Sequence, residues 1–458
     1  MKSYLVASTK KSSGKTIITT GLCSVIKSSH SSISVFKKGP DYIDPLWLSR
    51  AVKSNCYNLD FYTMSHHEIL QLFKTTSQNS SITITEGNKG LFDGLSLDGS
   101  DSNASLAKLL KLEVILVIDC IGITRGIAPL LNGYKNFDKK VKYKGIILNN
   151  IASDRHEIKI INAINEYTNL KVLGSVHRNP CLDIKEQHLG LEPVFQNNSA
   201  NKIIKSISSV IKSSIDIKSL LPEKSKNIIS QKSSKIVINS KRMNLKIGIA
   251  KDDAFGFYYA DDIEKIRSYG VKVKYFDTIK DKSLPVVDGI IIGGGFPELV
   301  AEKLSKNLKM KESMKDFIES NKPVYAECGG LMYLSKSIKF KSKNYKMVGV
   351  IKGEVSMHSK PIGRGYVNIR SKKKHPWMKE DIIIKAHEFH YSQIKLNQKY
   401  NYAYEVQRGY GINNKYDGII HKNLLASYSH LRDTKGSKWV LNFLKFIMDN
   451  KNEAKTNI

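Results

Sequence analysis

At 458 residues and 41% hydrophobic content the chain exceeds one ordinary core, and two or three globular domains are expected. No apolar run is long enough to span a bilayer, and the apolar stretch in MKSYLVASTKKSSGKT is too short for a signal-peptide core, so a cytoplasmic protein with no membrane partner is expected. The net charge of +31 comes from lysines spread along the whole chain, with only short clusters such as Lys372-Lys373-Lys374; this speaks against a nucleic-acid surface and suits a polyanionic small molecule.

The first half alternates short apolar runs with segments long enough for helices. SYLVAS (3–8), ISVFKK (33–38), SITITEG (81–87), VILVIDC (114–120), KGIILNN (144–150) and KVLGSV (171–176) are rich in Ile and Val and lack polar alternation, as strands buried on both faces do. This spacing predicts a doubly wound, mostly parallel α/β sheet over 1–212. Residues 213–244 are rich in Ser and Lys with no sustained helical face, and are expected to be a linker. Alternation resumes with LKIGIA (245–250), VKVKYF (271–276), DGIIIGGG (288–295), KPVYAECGG (322–330) and KMVGVI (346–351), predicting a second doubly wound unit over 245–448 and a polar tail over 449–458.

Between the first strand and an apolar-patterned helix (IITTGLCSVI) stands Thr9-Lys10-Lys11-Ser12-Ser13-Gly14-Lys15-Thr16. In that setting backbone N–H groups at a helix start cradle phosphates, lysine neutralises them and threonine reaches Mg²⁺. Gly14, Lys15 and Thr16 are therefore the candidate nucleotide site. Thr9 occupies the place of the usual first glycine, and the duller reading is a polar strand-to-helix turn. Glu86 and Asp119 end strands, where carboxylates face the ligand crevice of a parallel sheet and can hold Mg²⁺ or cap a loop.

The cysteines Cys23, Cys56, Cys120, Cys181 and Cys328 are scattered without a Cys-x-x-Cys pair, which argues against a disulfide framework or zinc site. Cys328 differs from the rest: in KPVYAECGGLMYL it falls where a strand gives way to a helix, among small residues that permit a tight turn exposing a nucleophile. A helix start would also lower the thiol pKa. The Gly293-Gly294-Gly295 loop is placed to offer a backbone donor to a developing oxyanion, with Gly329 as the other. A base is needed, and His430 in ASYSHLR, His387 and His390 in AHEFHYS all qualify on spacing.

Taken together, KKGPDYIDP (37–45), NLD (58–60), EGNKGLFDG (86–94), EQHLGL (186–191), DDAFGFYYADDIE (252–264), GGGFPEL (293–299), AECGGLMYL (326–334), HEFHYS (387–392) and ASYSHL (426–431) resemble the cobyrinic acid a,c-diamide synthase family, in which a dethiobiotin-synthetase-like ATPase is fused to a class I glutamine amidotransferase domain. The resemblance implies that the first domain uses ATP and Mg²⁺ to phosphorylate the a and c acetate carboxylates of a corrin. The second domain would hydrolyse L-glutamine and pass ammonia internally to the acyl phosphate. It implies that Lys15 and Thr16 hold phosphate and Mg²⁺, that Glu86 ligates Mg²⁺, and that Asn149 lies near the adenine. Lys38, Asp41, Tyr42, Asp44 and Asp93 would shape the substrate and carboxyl-phosphate site, with Cys328 as nucleophile and His430 as its base. A homodimer would be ordinary for such folds.

Three positions depart from the pattern: Ser8 where many relatives of the wider ATPase group have glycine, Gln187 where arginine is common, and Arg432 where class I amidotransferases usually carry glutamate. Arg432 leaves open what orients His430. The alternatives are the same chemistry on hydrogenobyrinic acid or nickel-sirohydrochlorin, an ammonia-driven synthetase with a degenerate glutaminase half, and a partitioning-type ATPase switch with Lys10 as signature lysine.

Overall fold

The computed structural model describes residues 1–29, 31–182, 186–187, 190–194, 199–222 and 242–456. His188 and Leu189 of the EQHLGL segment, the side chain of Gln187 and residues 223–241 of the expected linker lie outside that description. The chain forms two compact units, Met1–Ser233 and Ser234–Ile458.

In the first unit seven strands, β1 (Lys2–Ser8), β2 (Ile33–Lys38), β3 (Cys56–Leu59), β4 (Ile82–Glu86), β5 (Glu113–Asp119), β6 (Tyr143–Ile151) and β7 (Val172–His177), form one parallel sheet in the order β3-β2-β4-β1-β5-β6-β7. All six expected strands are present. The added one, β3, is only CYNL and lacks the Ile/Val signal that marks the others. The central strands are buried on both faces: Leu5, Val6, Ile84, Val114, Leu116 and Leu148 are fully enclosed. Because β1 sits between β4 and β5, the turn after it opens onto the carboxyl ends of both neighbours, where a parallel sheet holds its ligand.

That turn feeds α1 (Lys15–Ser28). The helix Ala200–Ser214 packs on α1, and the chain stays on this unit beyond the expected boundary at 212. Ile215 bridges Gly174, and the Tyr4 hydroxyl donates to the Leu220 carbonyl at 3.1 Å.

The second unit has a nine-stranded sheet. Lys272–Phe276, Lys246–Ala250, Gly289–Ile292, Val324–Glu327 and Leu424–Ser427 run parallel in that spatial order, and Tyr416–His421, Asn401–Arg408, Gly363–Ser371 and Ile383–His390 extend it antiparallel. The parallel half matches the apolar runs in the sequence. The antiparallel flank alternates polar and apolar residues, as in Gly363–Ser371, and such strands do not stand out as apolar blocks.

KMVGVI is not one strand. Met347–Val350 is a buried connector between Lys343–Lys346 and Ile351–Met357, interrupted by Gly349 at φ +79°, so its apolar character reflects core contact and not extended pairing. The helix Trp439–Thr456 continues through the expected polar tail, and Lys451 ties that stretch down by donating to Asp288 and to the Asn244 carbonyl. Among the described residues no helix is long and apolar enough to cross a membrane.

Candidate active sites

In the first unit the phosphate loop is shaped by one conformational demand. Gly14 has φ +80°, and a Cβ there would lie 2.2 Å from Nδ2 of Asn149, so only glycine fits. Asn149, at the end of β6, donates to the Ser13 carbonyl at 3.0 Å and so braces the loop from the neighbouring strand. Ser8 has a structural consequence: its hydroxyl accepts a 2.8 Å hydrogen bond from the Lys15 amine. Burial, reinforced by the Lys37 charge, lowers the Lys15 pKa to about 8. Lys10 pairs with Asp119 of its own chain at 3.0 Å.

Thr16, Glu86, Asp44 and Asp41 converge on a lysine that the sequence reading passed over. The Lys37 amine lies 2.7 Å from Glu86, 2.5 Å from Asp44 and 3.7 Å from Asp41, and Thr16 donates to the same Glu86 oxygen at 2.8 Å. Burial alone would depress the Lys37 pKa, but the three carboxylates overcome it and hold the amine charged well above its ordinary range. Glu86 is fully enclosed, and burial pushes its carboxyl up to about 7 against the pull of Lys37.

Successive strand residues face opposite ways, so Lys38 leaves β2 on the other side, where it reaches Asn88 at 3.2 Å. Burial lowers the Lys38 pKa to about 8. KKGPDYIDP holds both lysines, and only the register of β2 against β4, with Lys37 opposite Glu86, separates them. Asp41 accepts from the N–H groups of Ile43 and Asp44 and starts the helix Ile43–Val52; Tyr42 is buried beside it. Asp93 is exposed and accepts from the Gly90 N–H at 2.9 Å. A cavity of about 570 Å³ is lined by Lys15, Thr16, Asp44, Asn149, Asn150 and Arg178 among others.

In the second unit Cys328 follows the strand Val324–Glu327 with φ 46° and ψ −99°, a backbone conformation costing on the order of 1–3 kcal/mol for a residue with a side chain. Its N–H bonds the Ser427 carbonyl of the adjacent strand at 2.7 Å, fixing the turn beside the chain that leads to His430 three residues on. Gly294 lies against the same histidine: a Cβ there would meet His430 Cε1 at 2.5 Å. The Gly293 N–H is taken by the Tyr258 hydroxyl at 2.9 Å. The thiol is not poised as a thiolate. Burial, and after it the Glu298 and Glu327 charges, push its pKa well up, opposed by the Gly329 N–H; the acidifying effect expected of a helix start is outweighed.

The three histidines separate in space. His390 stacks on Tyr428 at 3.9 Å, and its Nδ1 lies 2.8 Å from the Ser392 carbonyl. His387 stacks on His430 with ring centroids 4.9 Å apart, and a backbone bridge joins the pair through the His430 N–H and the His387 carbonyl at 2.8 Å. Burial and the charges of His430 and Arg432 hold His387 well below the ordinary range, a neutral ring behind His430.

Arg432 turns away, donating to Asp261 at 2.8 Å and lying over the Tyr259 ring. The carboxylate at His430 is Glu327, the residue just before Cys328, with Oε2 3.3 Å from His430 Nδ1. Its other oxygen accepts from the Tyr325 hydroxyl at 2.6 Å and the Leu431 N–H at 2.9 Å, so it is held rigidly. Sequence spacing gave no sign of this, because the acid ends one strand and the base lies three residues beyond the end of its neighbour.

Comparison with known proteins bears on both sites. Residues 4–191 match the CobQ/CobB/MinD/ParA nucleotide binding domain, and residues 246–435 match the CobB/CobQ-like glutamine amidotransferase domain. A nucleotide-binding unit joined to an amidotransferase unit defines a glutamine-dependent ligase. Proteins named cobyrinate a,c-diamide synthase are similar over nearly the whole chain. The one from Magnetococcus marinus is 38% identical over 95% of this chain and 94% of its own. That from Picrophilus torridus is 40% identical over 94% and 95%, and that from Methanosphaera stadtmanae 34% over 98% and 100%. The chain belongs to the cobyrinate a,c-diamide synthase family.

Proposed function

We propose that the protein amidates the a and c acetate carboxylates of cobyrinic acid in an ATP-dependent reaction, through acyl phosphates, with ammonia taken from glutamine. The observation that carries this reading is one chain bearing both a braced phosphate loop beside a lysine–carboxylate cluster and a strained cysteine turn beside a histidine–glutamate pair. The macrocycle is inferred from the relatives so named, which span both units.

In the first unit Lys15 and the loop N–H groups hold the ATP phosphates, and Asn149 lies at the nucleotide. Lys38, Asp41, Tyr42, Asp44 and Asp93 are assigned to the substrate side. The substrate carboxylate attacks the γ-phosphorus, ADP leaves, and the acyl phosphate forms. Ammonia then displaces phosphate to give the amide, once for each acetate. Lys37 is placed to offset charge as phosphate transfers.

The residues fit a magnesium ion. Among the described residues Glu86 Oε2 is buried without a hydrogen-bond partner, and Thr16, Asp41 and Asp44 complete an all-oxygen donor set of the kind a hard cation prefers. Thr16 and Glu86 would hold Mg²⁺, which when bound supplies charge neutralisation to the phosphates.

In the second unit His430 takes the proton from Cys328, and the thiolate attacks the glutamine amide carbon. The oxyanion faces the Gly294 and Gly329 N–H groups, ammonia leaves with a proton from His430, and water releases glutamate from the thioester. Glu327 keeps the imidazole oriented through Nδ1.

The test is mass spectrometry of products from purified protein, ATP, Mg²⁺ and glutamine, with cobyrinic acid, hydrogenobyrinic acid and nickel-sirohydrochlorin offered in parallel. Two amides added to cobyrinic acid are expected. Preferential amidation of another macrocycle would reassign the substrate, and no amide from any of them with glutamine or ammonia would end the ligase reading.

A further inference from the structure

Glu298 is a carboxylate that the chemistry above does not use, in a place where it works against that chemistry. It sits on the turn Pro297–Val300, directly after the glycine loop, and the Cβ position of Gly329 is 3.0 Å from Cδ of its neighbour Pro297, so the turn is seated on the nucleophile's own turn. Its exposure is only 9%, its burial raises its pKa, and among the described residues no cation forms an ion pair with it. Of the charges acting on the Cys328 thiol, Glu298 is the foremost, and it disfavours the thiolate.

A buried carboxylate without a cation costs several kcal/mol unless something pairs with it, and one beside a nucleophilic thiol also suppresses the reactive form. Both costs vanish if the missing cation arrives with the substrate. Glutamine brings one: its α-ammonium, separated from the reacting amide by a short aliphatic chain.

We propose that Glu298 is the specificity residue that recognises the α-ammonium of glutamine, and that pairing with it relieves the carboxylate's repulsion of the Cys328 thiolate. The inference rests on the reading of Cys328 as the residue that attacks the glutamine amide. It makes the site self-gating, with the thiol held in its unreactive protonated form until an amide carrying an α-ammonium is seated.

The experiment compares glutamine with glutaramate, the same amide without the amino group, using the full-length protein and its Glu298→Gln and Glu298→Asp variants. In Glu298→Gln, kcat/KM for glutamine should fall about 10- to 100-fold, the range of a lost charge-assisted hydrogen bond. Turnover of glutaramate should hold or rise, because the repulsion of the thiolate is gone. Glu298→Asp, which keeps the charge, should retain more of the preference for glutamine. Equal loss on both amides would overturn the proposal, as would undiminished use of glutamine by Glu298→Gln. Failure of the underlying reading would look different: the unaltered protein would show no glutamine hydrolysis dependent on Cys328.

Discussion

The phosphate loop of the first unit and the cysteine turn of the second are both tight turns from a parallel strand into a helix, yet they handle charge in opposite ways. Around Lys37 the buried charges are paired: three carboxylates face one amine, and the Thr16 hydroxyl donates to the same Glu86 oxygen. Around Cys328 the nearby charges share one sign, Glu298 and Glu327, and the backbone itself is strained. The first centre is internally neutralised and suits ligands that exchange partners within it, a polyanion together with a cation. The second is left unbalanced and suits a substrate that carries its own compensation.

The comparison breaks most visibly through removal of each nucleus in turn. Cys328→Ser should lower glutamine-driven amide formation by about 10⁴-fold or more and leave the ammonia-driven reaction intact, measured as product by mass spectrometry with each nitrogen source. Lys15→Ala should lower both by about 10²–10³-fold, because on the proposed mechanism the phosphate charge it offsets is common to the two routes. A Lys15→Ala protein that still ran at full rate on ammonia would show that the first centre does not activate the carboxylate.

How much of this was legible in the sequence follows from how local each feature is. The phosphate loop and the cysteine turn are contiguous strand–turn–helix units, so their residues announce themselves, and the parallel strands carry unbroken Ile/Val runs. Lys37 was missed because Lys37 and Lys38 are adjacent and only the register against Glu86 distinguishes them. Glu327 was missed as the acid facing His430 because the contact runs from the end of one strand to the turn after its neighbour, 103 positions apart in the chain. The antiparallel flank of the second sheet was missed because its half-buried strands lack apolar blocks.

Glu327 tests whether the unbalanced centre is nevertheless ordered. Its Oε1 is held by Tyr325 and Leu431, which leaves Oε2 facing His430. Glu327→Gln should reduce kcat for glutamine by about 10²-fold while ammonia-driven amidation is unaffected, since an amide in place of the carboxylate no longer fixes the imidazole tautomer or stabilises its charged form. A rise in KM for glutamine with kcat unchanged would place Glu327 in substrate binding and remove it from the proton path.

The smallest effect is a pH dependence, and it bears most directly on the difference between the two centres. Burial raises Glu298 from the ordinary carboxylate range to about 7, so in the free enzyme it is protonated below that pH and ionised above it. Only the ionised form can pair with an α-ammonium. The ratio of kcat/KM for glutamine to that for glutaramate should therefore fall as pH drops through 7, by about tenfold between pH 8 and pH 6, since kcat/KM reports the free enzyme. Cys328, Glu327 and His430 face the same site and serve both amides alike, so their contributions cancel in the ratio. A ratio flat across that window would mean that Glu298 does not touch the amino group, and the second centre would then need another explanation for carrying two acids beside a thiol.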